Sequence, residues 1–256
     1  MEMQDKARAV GQRWDYCAAG YDKIIEEERQ TQEECWRQLL MAHRPAQSGE
    51  LLDIGTGPGF FAILMAKAGW KATGIDCSAA MIETASRNAR KAGIDATFRQ
   101  EDIHATSFPG QSFDYIVCRN VTWILYDPEK AFCEWFRLLK PGGRLLYLDA
   151  NWYYVKDEAE RAARERDEKE YRRLYGVPVD TYCGDDLTDQ MFQQTLFFNH
   201  VDRPRWDRDH LSRFGFTNVQ ITPRLNEQVY DEKYRLLFHS IPLFMVTADK
   251  KIIGYG

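Results

Sequence analysis

Leu51-Leu52-Asp53-Ile54-Gly55-Thr56-Gly57-Pro58-Gly59-Phe60 is the stretch on which the reading of this chain turns. Leu51, Leu52 and Ile54 around one acid predict a short buried strand. Glycines 55, 57 and 59 then make a turn without side-chain bulk, and Phe60 to Ala68 reads as a helix. A strand that ends in bare backbone at a helix N-terminus is a cradle for a small ligand. The backbone can approach the ligand closely, and the first helical amides have no partner inside the helix.

From Glu50 onward the pattern repeats. Strands are predicted at Leu51–Ile54, Ala72–Ile75, Ala96–Arg99, Tyr115–Cys118 and Arg144–Asp149. Helices are predicted between them at Phe60–Ala68, Ala79–Ala92 and Pro128–Leu139. Short apolar strands alternating with amphipathic helices predict a parallel sheet covered on both faces. Lys140-Pro141-Gly142-Gly143 stops the third of these helices. Ahead of this unit, Gln4 to His43 is helical in pattern, and Gly20 is expected to break it in two. Behind it, Asn151 to about Trp206 is an insertion with a charged helix, Lys156–Arg173. Asp207–Phe214 then reads as a helix, and Thr217–Thr222 and Leu243–Ala248 as two closing strands, the last antiparallel.

The 256 residues carry a formal net charge of −5. Nucleic-acid binding favours a basic face, so no nucleic-acid partner is expected. No apolar run approaches the roughly 20 residues a membrane span needs. Met1 to Gly11 is too polar for a signal peptide. The six cysteines, at 17, 35, 77, 118, 133 and 183, form no C-x-x-C pair. They read as the reduced thiols of a cytoplasmic protein, with no metal site.

Glycine turns of this kind serve two common cofactors. A dinucleotide site has G-x-G-x-x-G, with the third glycine for helix–strand packing. Here the spacing is G-x-G-x-G, and Phe60 stands where that third glycine would be. Asp76 follows at the tip of the second strand, about 20 residues on, where a carboxylate accepts both hydroxyls of a ribose. That acid suits NAD as well as an adenosyl cofactor; the glycine spacing and Asp53 shift the balance to the latter.

The chain resembles the class I S-adenosylmethionine-dependent methyltransferases. The likeness rests on an ordered set: the 51–59 turn; Thr73-Gly74-Ile75-Asp76-Cys77-Ser78 with Met81; Gln100-Glu101-Asp102-Ile103; Cys118-Arg119-Asn120-Val121-Thr122-Trp123; and Leu138-Leu139-Lys140-Pro141-Gly142-Gly143. It covers about residues 50–150. It implies a Rossmann-like, seven-stranded, mostly parallel α/β sheet with an antiparallel last strand, N-terminal helices and a helical lid insertion. The implied organisation is a cover over 1–49, a cofactor-binding core over 50–150, a substrate lid over 151–206 and closing elements over 207–256.

The resemblance also implies roles. Gly55, Thr56 and Gly57 would pass under the methionine part of S-adenosylmethionine, and Asp53 would hold its ammonium. Asp76 would bind the ribose, with Cys77 and Met81 packed on the adenosine. Asp102 would accept from the adenine amino group beside the Ile103 amide. Arg119 would face the methionine part through its backbone carbonyl. The leading segment Trp14-Asp15-x-x-Ala18-Ala19-Gly20-Tyr21-Asp22 is similar to that of small-molecule members, including the quinone-biosynthesis C-methyltransferases. It makes Tyr21 a cofactor contact and Tyr16 a substrate contact.

No Asn/Asp-Pro-Pro-aromatic motif follows the fourth strand, which disfavours amino methylation of nucleic acids. The expected acceptor is a small metabolite or natural product, methylated at O, N, S or C, with S-adenosylhomocysteine as product. Substrate candidates are Trp123 and the insertion residues Tyr153, Tyr175, His200 and Arg203, with Tyr182 among the insertion's other aromatics. His200 is the candidate for proton transfer, because imidazole titrates near neutrality. The alternatives are a non-methylating enzyme on the same cofactor, or a non-enzymatic binder of it. A monomer or homodimer is expected.

Overall fold

The computed structural model describes residues 3–46, 49–176 and 196–252. All seven anticipated strands form: β1 (Glu50–Ile54), β2 (Lys71–Asp76), β3 (Thr97–Gln100), β4 (Phe113–Arg119), β5 (Leu139–Asp149), β6 (Thr217–Thr222) and β7 (Phe244–Asp249). They make one sheet in the order β3-β2-β1-β4-β5-β7-β6. The pairs among β1 to β5 are parallel, and β7 runs antiparallel to both β5 and β6.

Strand residues alternate between two cores, as a sheet buried on both faces requires. Leu52, Ile54, Ile116, Cys118 and Leu145 point to one, with Phe132 and Trp135 of helix α4 (Pro128–Leu138). Leu51, Tyr115, Val117, Leu146 and Leu148 point to the other, with helix α2 (Phe60–Lys67) and the long N-terminal helix α1 (Met3–Ala42). Helix α3 (Ala79–Ala92) starts at Ser78, whose side chain accepts from the Met81 amide. This is an N-cap of the usual kind.

The order reverses between β1 and β4, and in open α/β sheets the crevice at such a point takes the ligand. The register sets its walls. Ile54 lies opposite both Ile75 and Cys118, so Gly55, Asp76 and Arg119 emerge side by side.

Gly20 does not break the N-terminal segment: α1 runs unbroken for 40 residues. A helical glycine costs about 1 kcal/mol relative to alanine. The helix buries Cys17, Ala18, Ile25, Trp36 and Leu40 along its length, which outweighs that cost. It is also strapped across the start of α3. Asp15 accepts from Ser78 Oγ (2.7 Å) and the Ala80 amide (3.1 Å), and Asp22 from Arg87 (2.9 Å) and Asn88 (2.8 Å).

The insertion helix α5 covers Glu158–Tyr175, capped by Asp157 and ended at Gly176. The anticipated 207–214 helix is a short α6 (Arg205–His210) followed by a 3-10 turn, Leu211–Phe214. Two short helices, α7 (Asn226–Val229) and α8 (Glu232–Leu237), precede β7 without having been anticipated; α5 packs on α8.

Candidate functional site

The glycine turn is shaped by its neighbours. Gly55 has φ +64°, and a Cβ there would lie 2.2 Å from Val121 Cγ2, so only glycine fits. The Thr56 amide donates to the Ile75 carbonyl at 2.9 Å, tying the turn to β2. Asp53, at the end of β1, is buried. Its Oδ2 accepts from Thr56 Oγ1 (2.7 Å) and from the Ala62 amide in the first turns of α2 (3.0 Å). Burial pushes this carboxyl up to about 7, against those hydrogen bonds. Asp76 is buried at the tip of β2 and accepts from the Gly57 amide (3.0 Å) and the Ser78 amide (2.9 Å). Burial pushes it up to about 6. Both acids are thus oriented by neutral donors.

A cleft of about 630 Å³ opens beside this turn, and a smaller cavity of about 280 Å³ shares Tyr21, Gly55 and Arg119 with it. Gly57, Asp76, Cys77, Met81, Asp102 and Ile103 line the larger space. Asp53 and Thr56 line the smaller one. The expected cofactor residues, drawn from α1 and from the ends of four strands, therefore converge on two adjoining spaces. Burial, with Asp76 beside it, holds the Cys77 thiol far above the usual range, so it is a packing surface and not a nucleophile.

Arg119 differs from its expected role in one respect. Arg119 lines both spaces, and its guanidinium pairs with Glu28 of α1 at 2.6 Å. It lies 4.8 Å from the centre of the Trp36 ring. Asp102 is already engaged within the protein. It accepts from the His104 amide (3.0 Å), from His104 Nδ1 (2.9 Å) and from the Tyr126 hydroxyl (2.8 Å). Partial burial works to raise its carboxyl, but these bonds prevail and hold it down to about 2.

Several wall residues escaped the sequence reading. Ala7, Val10 and Trp14 present one face of α1 to the cleft, and His104, Asn120, Val121, Ile124 and Tyr126 complete it. The helical spacing of 7, 10, 14 and 21 was the available signal. Trp14 Nε1, His104 Nε2 and Asn120 Oδ1 are buried and have no hydrogen-bond partner among the described residues. A buried polar atom left unmet costs about 1–3 kcal/mol.

The expected substrate residues do not line this cleft. Tyr16 is 71% exposed, and Tyr175 is 44% exposed, packed against Tyr171. His200 is exposed on a 3-10 turn, Phe197–His200. Trp123 is core: its indole donates to the Asn120 carbonyl (2.9 Å) and its ring packs on Tyr153. Arg203 is fully buried. It pairs with Asp207 (2.5 Å) and donates to Thr122 (2.7 Å), while Asp207 also accepts from Tyr147 (2.5 Å). Its Nε, Nη1 and Nη2 are all engaged by groups of the fold. Of residues 151–206, no described residue lines the cleft; Ala7, Val10, Trp14 and Tyr21 of α1 do. Tyr182 and Cys183 lie outside the described residues.

The site suits an adenosyl amino acid. The glycine cradle has no room for a side chain at Gly55, and two buried acids, Asp53 and Asp76, stand beside it. Residues 52–147 match the family model of the methyltransferase domain. The chain is 33% identical over 116 residues to a ubiquinone biosynthesis O-methyltransferase of Methylococcus capsulatus, covering 44% of this chain and 48% of that one. It is 36% identical over 141 residues to a ubiquinone/menaquinone biosynthesis C-methyltransferase of Bdellovibrio bacteriovorus, covering 52% and 57%. It thus spans about half the length of the curated relatives it matches. Among solved structures, a [4+2]-cyclase aligns with TM-score 0.64 at 16% identity over 95% of both chains. A geranyl diphosphate C-methyltransferase from Streptomyces coelicolor, in complex with S-adenosylhomocysteine, aligns with TM-score 0.58 at 19% identity over 90% of this chain and 84% of that one. Residues 52–147 thus match a methyltransferase domain, set in a Rossmann-like seven-stranded sheet.

Among the described residues no helix is long and apolar enough to cross a membrane, and no cluster of His, Cys, Asp or Glu could hold a metal ion.

Proposed function

We propose that this protein methylates a small organic metabolite, using S-adenosylmethionine bound in the cleft at the ends of β1, β2 and β4. The observation that carries the reading is the convergence of Asp53, Gly55, Asp76 and Arg119 on two adjoining cavities. When bound, S-adenosylmethionine supplies an electrophilic methyl group on a sulfonium.

The residues of this chain do the rest. Asp53 accepts from the ammonium, and Asp76 accepts from the ribose hydroxyls. Arg119 supplies a positive charge at the same end of the site. Met81, Cys77 and Ile103 pack against the flat base. Val10 and Trp14 of α1 exclude water above, which favours in-line transfer by fixing the reactants and drying the site. His200 stands outside this arrangement, so any proton from the acceptor goes to water or to a group on the cleft wall. Apolar wall residues such as Val10, Val121 and Ile124 favour a flat or largely apolar acceptor. The chain's acidic balance, and free thiols at all five cysteines among the described residues, support a cytoplasmic setting and no nucleic-acid partner.

Calorimetric titration with S-adenosylhomocysteine and with NAD tests the cofactor: the first should bind and the second should not. The reverse would overturn the reading. Fold alone does not separate methyl transfer from other chemistry beside the same cofactor, as the cyclase neighbour illustrates. Mass analysis of small phenols, quinols and amines incubated with S-adenosylmethionine decides that point through a 14-Da gain per methyl group.

A further inference from the structure

Arg203 and Arg119 are both buried, but the fold engages them differently. The Nε, Nη1 and Nη2 of Arg203 all meet groups of the protein. Arg119 commits Nη1 to Glu28 Oε2 at 2.6 Å. Its Nε and Nη2 donate to no acid among the described residues, and 7% of the side chain stays open. A guanidinium carries five N–H donors in a planar fork, so one carboxylate oxygen leaves further edges for a second acceptor. Neighbouring side chains fix where the group stands. Its centre lies 5.3 Å from the ring centre of Phe60 and 5.3 Å from that of Phe61. Burial raises the Asp53 carboxyl and the Tyr21 hydroxyl, and the Arg119 charge works against both rises. Phe60, Phe61, Asp53 and Tyr21 all line the smaller cavity, as Arg119 does. Tyr21 also reaches over the glycine turn, since a Cβ at Gly57 would lie 3.4 Å from its Cε1. One acid and one cation thus share a small apolar space beside bare glycine backbone.

We propose that the smaller cavity seats the amino-acid head of the cofactor, and that the Arg119 side chain binds its α-carboxylate while Asp53 takes the ammonium. The inference rests on the adenosyl-cofactor reading and adds a contact to it, because the resemblance gives Arg119 a role only through its backbone carbonyl. The chemistry is that of a zwitterion. Ammonium and carboxylate together bring no net charge into an apolar space, and each meets its opposite there. The cavity's volume of about 280 Å³ suits a head group, and the larger cleft beside it takes the nucleoside. Glu28 holds the guanidinium from the α1 side, and the rings of Trp36, Phe60 and Phe61 surround it, so the cation is in place before the ligand arrives. The site is thereby built to select for the carboxylate. Decarboxylated S-adenosylhomocysteine keeps the base, the ribose, the sulfur and the ammonium, and lacks that group alone. It should bind about ten- to a hundredfold more weakly than S-adenosylhomocysteine, the worth of a charge-assisted contact to a buried guanidinium.

Calorimetric titration of the full chain with each of these two compounds is the test. In the wild type, equal affinities overturn the proposal and leave the cofactor reading standing. Two variants then assign the ratio to Arg119. Arg119→Gln combined with Glu28→Gln removes both members of the pair, so neither charge is left buried alone. It should bring the ratio to within about threefold of one by weakening S-adenosylhomocysteine, with the affinity of the decarboxylated compound changed less than about threefold. Arg119→Lys keeps the charge and loses the planar fork, and it tests the same point should the double variant fail to fold. Its ratio should fall at least about threefold below that of the wild type. An Arg119 that is merely structural weakens both ligands alike, so an unchanged ratio in a folded variant overturns the proposal. Failure of S-adenosylhomocysteine to bind the wild type at all overturns the cofactor reading as well.

Discussion

Two groups of buried acids lie on either side of β4, and they are built on opposite principles. Beyond β5, Asp149 and Asp207 enclose Arg203, with Thr122, Tyr147 and Trp152 filling the remaining hydrogen-bond positions. The cation belongs to the fold. Under the glycine turn, Asp53 and Asp76 are as deeply buried, but their contacts are amides and a hydroxyl. The nearby cation, Arg119, is paired with Glu28. A satisfied cluster holds the chain together. An unsatisfied one keeps its cost until a cation arrives from outside, and so becomes affinity. Buried charge by itself therefore does not mark a binding site; the missing counter-charge does.

That contrast breaks first if Arg203 proves to be a binding residue. Arg203→Leu leaves two acids buried without their cation, which costs about 3–5 kcal/mol of stability. The expected result is a large fall in the urea midpoint, with affinity for S-adenosylhomocysteine in the folded fraction changed less than about twofold. Loss of binding in a fully stable variant would place Arg203 on the ligand side.

Asp53→Asn should do the reverse. The amide oxygen still accepts from Thr56 and Ala62, so the turn survives. Losing a charge-assisted bond to an ammonium costs about 1.5–3 kcal/mol, or about ten- to a hundredfold in affinity. Stability should hold or rise, because the buried charge is gone.

The two acids of the glycine turn also predict opposite pH slopes for stability and binding. Asp53 and Asp76 are raised to about 7 and about 6. Unfolded, both titrate near about 4. Between these values the folded chain holds protons that the unfolded chain has released, so this contribution to stability falls as pH rises through the window. A cationic ligand needs the ionised acids, so affinity for S-adenosylmethionine should rise over the same range and level off above about pH 7.5. Asp102, held down to about 2, acts the other way: its contribution is present above about pH 4 and is lost as pH falls through its own range. Urea midpoints and titrations in a pH series, compared between wild type and Asp53→Asn, isolate the Asp53 part. Parallel slopes in the two proteins would remove Asp53 from the account.

The sequence reveals the cleft far better than its surroundings. Local patterns specify the strands and the turn: short apolar runs and closely spaced glycines. Asp53, Asp76 and Asp102 are legible because each lies at or just past the end of a strand. Glu28 and His104 are not, since their meaning lies in partners 91 and 2 residues away that only the fold orients. Gly20 was misread because helix propensity is a local quantity and the packing of α1 is not. The aromatic candidates misled for a related reason. Trp123 and Tyr153 pack together, and a ring's composition does not say which side of it faces the ligand.

The smallest expected effect concerns residues that looked functional by type alone. His200 sits exposed on its turn and Tyr16 on the outer face of α1, while the cleft wall on that side is made by Val10 and Trp14. His200→Ala and Tyr16→Ala should each change stability by less than about 0.5 kcal/mol, as for surface substitutions away from special features. Each should leave affinity for S-adenosylhomocysteine within about twofold. Trp14→Phe is the matched control. It keeps a ring against Tyr21, 5.6 Å away in the wild type, but removes the buried indole N–H that has no partner among the described residues. Ligand affinity should fall for that variant and not for the other two. Equal effects in all three would mean that α1 acts on the ligand through its bulk alone, and the polar atoms it buries over the cleft would then have no part in recognition.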